Sequence, residues 1–181
     1  LNHMDRLWLY DMKDMSRGLP LGGGRSAFPQ VLRWLEGLCF EGETDMLQAI
    51  RRLPRRGAGT TVMISDFLHP DMLDGEKKSY EKLLGYLDYC RQRPVALHTM
   101  AAEELFVAWE GACNLIDAET GRKLCLTMDS RAVARYGQEL GRLTKRMKKG
   151  CSAARGAYVL CDTGRDRKQL IFQDLKVIYD I

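Results

Sequence analysis

Hydrophobic residues along the chain switch between short continuous runs and helical spacing. The runs "RLWLY" (6–10), "TTVMIS" (60–65), "PVALHTM" (94–100) and "AYVLC" (157–161) are typical of strands. Continuous apolar runs such as "TTVMIS" predict strands that are covered on both faces of a parallel sheet. Between them, "SAFPQVLRWLEGLCF" (26–40) places apolar residues three and four apart, which predicts an amphipathic helix with Pro29 in its first turn.

The remaining segments complete an alternation of strands and helices. "RGLPL" is predicted to return antiparallel to "RLWLY", and residues 113–129 to form two strands joined by the "AETG" turn. A short helix follows Thr44 or Asp45 as its cap and stops at Pro54. Further helices are predicted within 76–93, 130–150 and 166–179, and a helix or turn over 101–109. The pattern favours an α/β fold with an open, mostly parallel sheet.

Composition narrows the class of protein. The 181 residues fit a single domain over 1–181, and 45% hydrophobic with 29% charged residues is the balance of a globular protein. No apolar run approaches the length of a membrane span and no signal-peptide order opens the chain, so we expect a cytoplasmic location. The six cysteines form no C-x-x-C pair and are interpreted as reduced thiols. A net charge of +4 does not by itself indicate a nucleic-acid partner.

Asp66 is the first candidate functional residue, because it directly follows the strand "TTVMIS". Ligands of open α/β sheets bind at the carboxyl ends of the strands. Thr44 opens the helix before that strand, so its hydroxyl is expected at the same edge. A hydroxyl and a carboxylate are hard oxygen ligands and suit Mg²⁺. The alternative interpretations are an N-cap for Thr44 and a loop-capping carboxylate for Asp66.

The order of these segments resembles a known family. "RLWLYDM", "GETDMLQAI", "VMISDFLHP", "VALHTM", "NLIDAETGRKLCLTMD" and "YVLCDT" are similar to the carboxy-terminal part of the DUF58 family, whose core is a von Willebrand factor A (vWA)-like domain. The resemblance implies a three-layer Rossmann-like fold and a metal-ion-dependent adhesion site (MIDAS). Such a site is built from a D-x-S-x-S loop, a Thr and an Asp. Here Thr44 matches the second element and Asp66 the third.

One part of the pattern departs from the family. The D-x-S-x-S loop is expected upstream of "RLWLY", and the nearest similar stretch, "DMSRG" (14–18), is followed by "LPLGGG" and not by a helix. The sequence therefore predicts a vWA-like fold that lacks its first central strand and helix, as in an amino-terminally incomplete domain. We expect Mg²⁺ in an intact protein and poor occupancy in this chain. Strands left without a neighbour expose backbone groups, which predicts closure of the gap or homo-oligomerisation through the sheet edges.

The resemblance also implies a function. A vWA metal site performs no reaction: its cation keeps a coordination position that a carboxylate of a protein partner completes. The expectation is a non-enzymatic protein-interaction domain that works with a MoxR-type AAA+ ATPase in the assembly or maturation of protein complexes, by analogy.

Two other functions remain as alternatives. "CDTGRDR" places Cys161 six positions before Arg167, a spacing similar to the phosphate loop of cysteine-dependent phosphatases. Asp162 and Asp166 weigh against it, because carboxylates repel a phosphate. The basic stretches "RRLPRR" and "RLTKRMKKG" leave a weak nucleic-acid binder open, but we expect them at helix ends, where cations complement the helix dipole. His98 is expected to pack and form hydrogen bonds within the sheet.

Overall fold

The computed structural model of the chain describes residues 6–22, 27–39, 44–54, 56–69, 77–107, 111–116, 121 and 123–178. Its strands are β1 Leu7–Asp11, β2 Asp14–Leu21, β3 Gly59–Ser65, β4 Gln92–Met100, β5 Gly111–Ile116, β6 Lys123–Met128 and β7 Ala157–Asp162. Its helices are α1 Phe28–Glu36, α2 Met46–Arg52, α3 Ser79–Tyr89, α4 Ala102–Leu105, α5 Ser130–Ala153 and α6 Arg167–Phe172, followed by a 3-10 helix Asp174–Ile178. The predicted order of elements is confirmed.

The chain divides into two compact units, Leu1–Arg55 with Ala118–Gly121, and Arg56–Asp117 with Arg122–Ile181. The first unit contains the predicted antiparallel hairpin of β1 and β2, in which Leu9 lies opposite Leu19. Strand β2 begins at Asp14, earlier than predicted, because "DMSRG" is extended and buries Met15. The single-domain organisation over 1–181 stays a prediction.

The second unit is built on a parallel sheet with the strand order β3-β4-β7. Val95 of the central strand β4 lies between Val62 of β3 and Ala157 of β7. Helix α3 packs on β4, helix α5 packs on β4 and β7, and the 3-10 helix packs on β7. The chain thus has a mixed α/β fold of Rossmann-like character, as the sequence predicted.

Strand β3 is less covered than its apolar sequence predicted. Val62 is 48% exposed and Ile64 is 62% exposed, whereas Met63 between them is buried. Their neighbours in register, Val95 and Leu97 of β4, are buried and half-buried. One face of β3 therefore carries exposed apolar side chains, and the expectation of burial on both faces was wrong for this strand. Sequence periodicity reports which residues are apolar, but tertiary neighbours decide which of them are covered.

Helix α5 also differs from its prediction in where its basic residues lie. It is capped by Asp129, whose Oδ1 accepts a hydrogen bond from the Ala132 N–H at 2.7 Å, and it continues to Ala153. Its last turn holds no basic residue. The basic stretch "RLTKRMKKG" therefore lies inside the helix and not at its end, so the dipole explanation was wrong here. For α2, Arg51 and Arg52 do occupy the last turn, as predicted.

Gly156 marks a close approach of the chain just before β7. A Cβ atom on Gly156 would clash with the backbone oxygen of Pro94 in β4. We predict that Gly156→Ala lowers the free energy of unfolding by about 1–3 kcal/mol, because the strands must separate to admit the methyl group. Urea unfolding followed by circular dichroism measures the effect.

The matched control is Gly137→Ala in α5, where a Cβ meets no atom within 4 Å. This change should raise the free energy of unfolding by about 0.5–1 kcal/mol, because alanine loses less backbone entropy in a helix. Equal stabilities of the two variants would contradict the assigned approach of Gly156 to β4.

Candidate functional site

The carboxyl end of β3 holds Asp66 in a hydrogen-bonded loop. Asp66 Oδ1 accepts a hydrogen bond from the Leu68 N–H at 3.1 Å, and the Ser65 hydroxyl accepts one from the Phe67 N–H at the same distance. The Asp66 side chain is exposed. Its second oxygen, Oδ2, accepts neither of these bonds. Asp66 therefore has the loop-capping role considered as an alternative, and its bond to Leu68 uses the Oδ1 oxygen.

Phe67 fixes this loop to the core. Its side chain is only 1% exposed and meets the rings of Tyr80 and His98 edge-on, with ring centres 6.1 and 5.6 Å away. The backbone of Phe67 has a φ of 54°, a left-handed conformation that is uncommon for a residue with a bulky side chain. Such conformations cost on the order of 1–3 kcal/mol and persist where the surroundings enforce them, often at functional sites. Burial of Phe67 therefore holds the preceding Asp66 at the surface in one position.

His98, at the carboxyl end of the central strand, lies beneath the loop and is fully buried. Its Nδ1 is 2.7 Å from the Tyr158 hydroxyl on β7, which confirms that it packs and forms a hydrogen bond within the sheet. Within the described part of the chain, its Nε2 has no partner in good hydrogen-bond geometry. Burial lowers the pKa of His98, opposed by the charge and the backbone of Asp66 and by the charge of Glu104. The neutral imidazole is thus the form that this core accommodates.

A carboxylate follows or ends each strand of the sheet. Asp66 follows β3, Glu104 lies in the helix after β4, and Asp162 ends β7. Glu104 Oε2 accepts a hydrogen bond from the Ala101 N–H at 2.7 Å, and Asp162 Oδ1 accepts one from the Gly164 N–H at 2.9 Å. Over the residues with described positions, no group of three or more His, Cys, Asp or Glu side chains is close enough to hold a metal ion. The edge is acidic, but its carboxylates serve local turns.

Thr44 is not the cap of the helix that it precedes. Asp45 takes that position, and its Oδ1 accepts a hydrogen bond from the Gln48 N–H at 3.1 Å. Thr44, which is half-buried, is therefore not needed as a cap, and the cap interpretation of this residue was wrong. Thr44 belongs to the first unit and Asp66 to the second. A Mg²⁺ site that uses both residues stays a prediction, and the second oxygen of Asp66 suits that cation chemically.

The "DMSRG" stretch forms part of a hairpin. Asp14 Oδ1 accepts hydrogen bonds from the N–H and the hydroxyl of Ser16, and Gly18 lies in the same strand, β2. A helix does not follow Gly18 directly, because β2 continues to Leu21. The stretch has the local structure of a turn and a strand, which agrees with its weak match to a metal-binding loop.

The geometry around Cys161 does not favour the phosphatase alternative. Cys161 is 3% exposed inside β7, and burial, with the charge of Asp174, raises the pKa of its thiol. A thiol nucleophile needs the opposite shift. The amides that would cradle a phosphate are used within the chain: the Gly164 N–H donates to Asp162, and the Lys168 N–H donates to Asp166 at 2.8 Å. Arg167 begins helix α6 and is exposed.

Comparison with known proteins identifies the family. Residues 2–146 match the model of DUF58, which is described as a protein of unknown function. The match covers most of the chain, so the chain belongs to the DUF58 family. It matches no curated protein and no solved structure. In the described segments, none of the helices is both long and apolar enough to cross a lipid bilayer.

The surroundings of His98 predict a pH dependence of stability. Because the folded chain lowers the pKa of His98 below 6.5, the unfolded chain binds this proton first. The contribution of neutral His98 to the free energy of unfolding is fully present above pH 6.5 and is lost as the pH falls towards the pKa of the folded chain. The free energy of unfolding should change by at most about 1.4 kcal/mol per pH unit through this residue. Urea unfolding between about pH 5 and 7 measures the slope, because glutamate and aspartate side chains of the unfolded chain titrate below this range.

The control for this prediction is His98→Gln, which keeps a polar group near the Tyr158 hydroxyl but cannot take up a proton in this range. The variant is expected to be less stable at about pH 7 and to show a flatter dependence between about pH 5 and 7. Identical slopes for the two proteins would show that His98 does not cause the loss of stability in acid.

Proposed function

We propose that this chain is a non-enzymatic protein-interaction domain of vWA-like type, and that its partner is a MoxR-type AAA+ ATPase in the assembly or maturation of protein complexes. The observation that carries the proposal is the position of the Asp66 loop. The loop lies at the carboxyl end of a parallel strand and is fixed there by the buried side chain of Phe67. Membership of DUF58 supports the choice of class, because the resemblance of this family to vWA domains implies interaction through a metal ion. The partner is assigned by analogy with the family. We propose that the interaction takes place in the cytoplasm.

The proposed interaction depends on a divalent cation. Asp66 has a second carboxylate oxygen, Oδ2, besides the one that accepts the hydrogen bond from Leu68, and the resemblance to vWA domains implies that Thr44 is the other protein ligand. Both are hard oxygen ligands, and Mg²⁺ retains further positions for water and for a carboxylate of the partner. The cation supplies attraction for an acidic side chain of the partner, while the protein supplies fixed ligands. The buried thiol and occupied amides after β7 support an interaction role over phosphate chemistry.

We predict that Asp66→Asn abolishes Mg²⁺-dependent capture of a MoxR-type ATPase by this protein. Asparagine retains an oxygen that can accept the hydrogen bond from Leu68, so the free energy of unfolding should change by less than about 0.5 kcal/mol. It lacks the negative charge by which a carboxylate attracts Mg²⁺ more strongly than a neutral amide oxygen does. A pull-down with Mg²⁺ and with EDTA, together with urea unfolding, separates the two effects.

Two variants serve as controls for this experiment. Asp66→Ala removes both roles and is expected to lose capture together with about 1 kcal/mol of stability. Glu103→Gln changes an exposed carboxylate after β4 and should leave capture unchanged. Capture by Asp66→Asn at the level of the natural protein, or equal capture in EDTA, would remove the basis for a metal-dependent site at Asp66.

We also propose that two copies of the chain associate through β3. Among the described residues, β3 pairs only with β4, and its sequence contains neither proline nor charge, the features that commonly protect an edge strand. Val62 and Ile64 add exposed apolar surface on the same strand. A second β3 can supply both the missing hydrogen-bond partners and an apolar cover for this surface.

A charged residue on the exposed face of β3 should prevent this association. We predict that Ile64→Lys shifts the protein from dimer to monomer, because lysine on an edge strand opposes pairing with another strand. Sedimentation velocity over a range of concentrations measures the shift. Phe172→Lys, at an apolar residue that is 74% exposed on α6, is the matched control and should leave the dimer intact. A natural protein that sediments as a monomer at every concentration would refute the proposal.

A further inference from the structure

Helix α5 carries a row of cations along one side. We define the basic stripe as the five exposed residues Arg131, Arg135, Arg142, Lys145 and Lys149. Their steps of four, seven, three and four residues, at about 100° per residue, keep them within a sector of roughly 80°. At about 1.5 Å per residue the stripe is about 27 Å long. It forms a straight, positively charged surface.

The orientation of the stripe is fixed by the opposite side of the helix. Leu143, Met147 and Cys151 are buried there, and the Cys151 thiol lies 3.1 Å from the Tyr80 hydroxyl of α3. Rotation of α5 would expose these core residues, so the stripe stays on the outer side.

Electrostatics within the helix do not account for the stripe. Apart from the Asp129 cap, which suits the helix dipole, the cations are placed against it: Arg131 lies in the first turn, and the last turn contains no basic residue. Arg131 with Arg135, and Lys145 with Lys149, are like charges four residues apart and repel each other. Arg142 donates a hydrogen bond to Glu139. For the other four, no ion pair is found within the described ranges of the chain. Four of the five stripe cations are therefore exposed without an acidic partner among the described residues.

Helix α5 already binds one carboxylate, which belongs to a neighbouring helix. Arg146, beside the stripe, donates two hydrogen bonds of 3.1 Å to the two oxygens of Glu81 on α3. Burial is the largest single influence and opposes ionisation of Glu81, but the hydrogen bonds and charge of Arg146, a backbone hydrogen bond and the charge of Lys78 together lower the pKa of this carboxyl. Arg146 and Glu81 thus form a bidentate pair between two packed helices. Arginine is well suited to bind carboxylates in this way.

The composition of the stripe selects among anionic partners. It contains no aromatic residue on which a nucleic-acid base could stack, and the apolar side of α5 is used by the core and is not available for a membrane. The cations of the stripe are spaced by three and four residues or their sum. Acidic side chains on one face of a partner α-helix have the same spacing. We propose that the basic stripe binds an acidic helical segment of a protein partner. The inference rests on the proposed interaction function and adds a second contact, independent of the metal ion.

The test uses a synthetic helical peptide that carries glutamate at steps of three and four residues, and the same peptide with glutamine. Isothermal titration at about 150 mM salt in EDTA compares the natural chain with two variants of equal charge. The stripe variant is R135Q/K145Q/K149Q, and the control, K82Q/K123Q/K168Q, removes three exposed cations elsewhere. We expect the glutamate peptide to bind about tenfold more weakly to the stripe variant and within about twofold of the natural value to the control. The glutamine peptide should not bind.

Several results would overturn the inference. Equal weakening in both variants would show that net charge, and not the stripe, attracts the peptide. Tighter binding of a DNA duplex of about 20 base pairs, or of phosphatidylserine vesicles, would assign the surface to a different class of partner. Thermal unfolding checks the fold, and Arg135→Lys, which keeps the charge, should retain binding. Asp66→Asn should bind the peptide normally, so failure of the stripe and failure of the metal-dependent function are distinguishable.

Discussion

Burial of β4 between two parallel neighbours is the constraint on which the second unit depends. Val95, Ala96 and His98 of this strand are fully buried, so β3 and β7 must pair with it and helices α3 and α5 must cover it. Pro94 is tolerated because it precedes Val95, where the ladder with β7 begins. The backbone of β4 then reaches close to Gly156, where only glycine fits. Parallel strands align their carboxyl ends, which gives the sheet one edge for ligands.

The same core determines how that edge is presented. Phe67, Tyr80 and His98 form a chain of edge-on ring contacts, and Tyr158 extends it to β7. The left-handed backbone of Phe67 is sustained by this packing, and Asp66 is held at the surface as a consequence. A buried neutral imidazole therefore supports an exposed carboxylate. Stability and presentation of the candidate site are linked through His98, although His98 itself is not exposed to a partner.

The surfaces proposed for interaction lie where the core leaves residues uncovered. Val62 and Ile64 are exposed on β3, and the outer side of α5 carries the basic stripe. The two surfaces differ in kind, because one offers apolar side chains with backbone hydrogen-bonding groups and the other offers charge. Apolar strand edges favour pairing with a strand, whereas rows of cations set partner choice and the rate of encounter. The two proposed contacts therefore differ in their chemistry.

The sequence by itself determined the strands, the helices and their order, because apolar periodicity, proline and capping residues act locally. It also placed Asp66 at the end of a parallel strand and predicted that His98 packs within the sheet. Only the tertiary structure decided that Asp45 and not Thr44 caps α2, that Val62 and Ile64 are exposed, and that Cys161 is buried with a raised pKa. The tertiary structure also extended α5 beyond its basic stretch and determined the left-handed backbone conformation of Phe67. These features depend on neighbours that are distant in the chain or on competition between adjacent caps, and local pattern does not contain either.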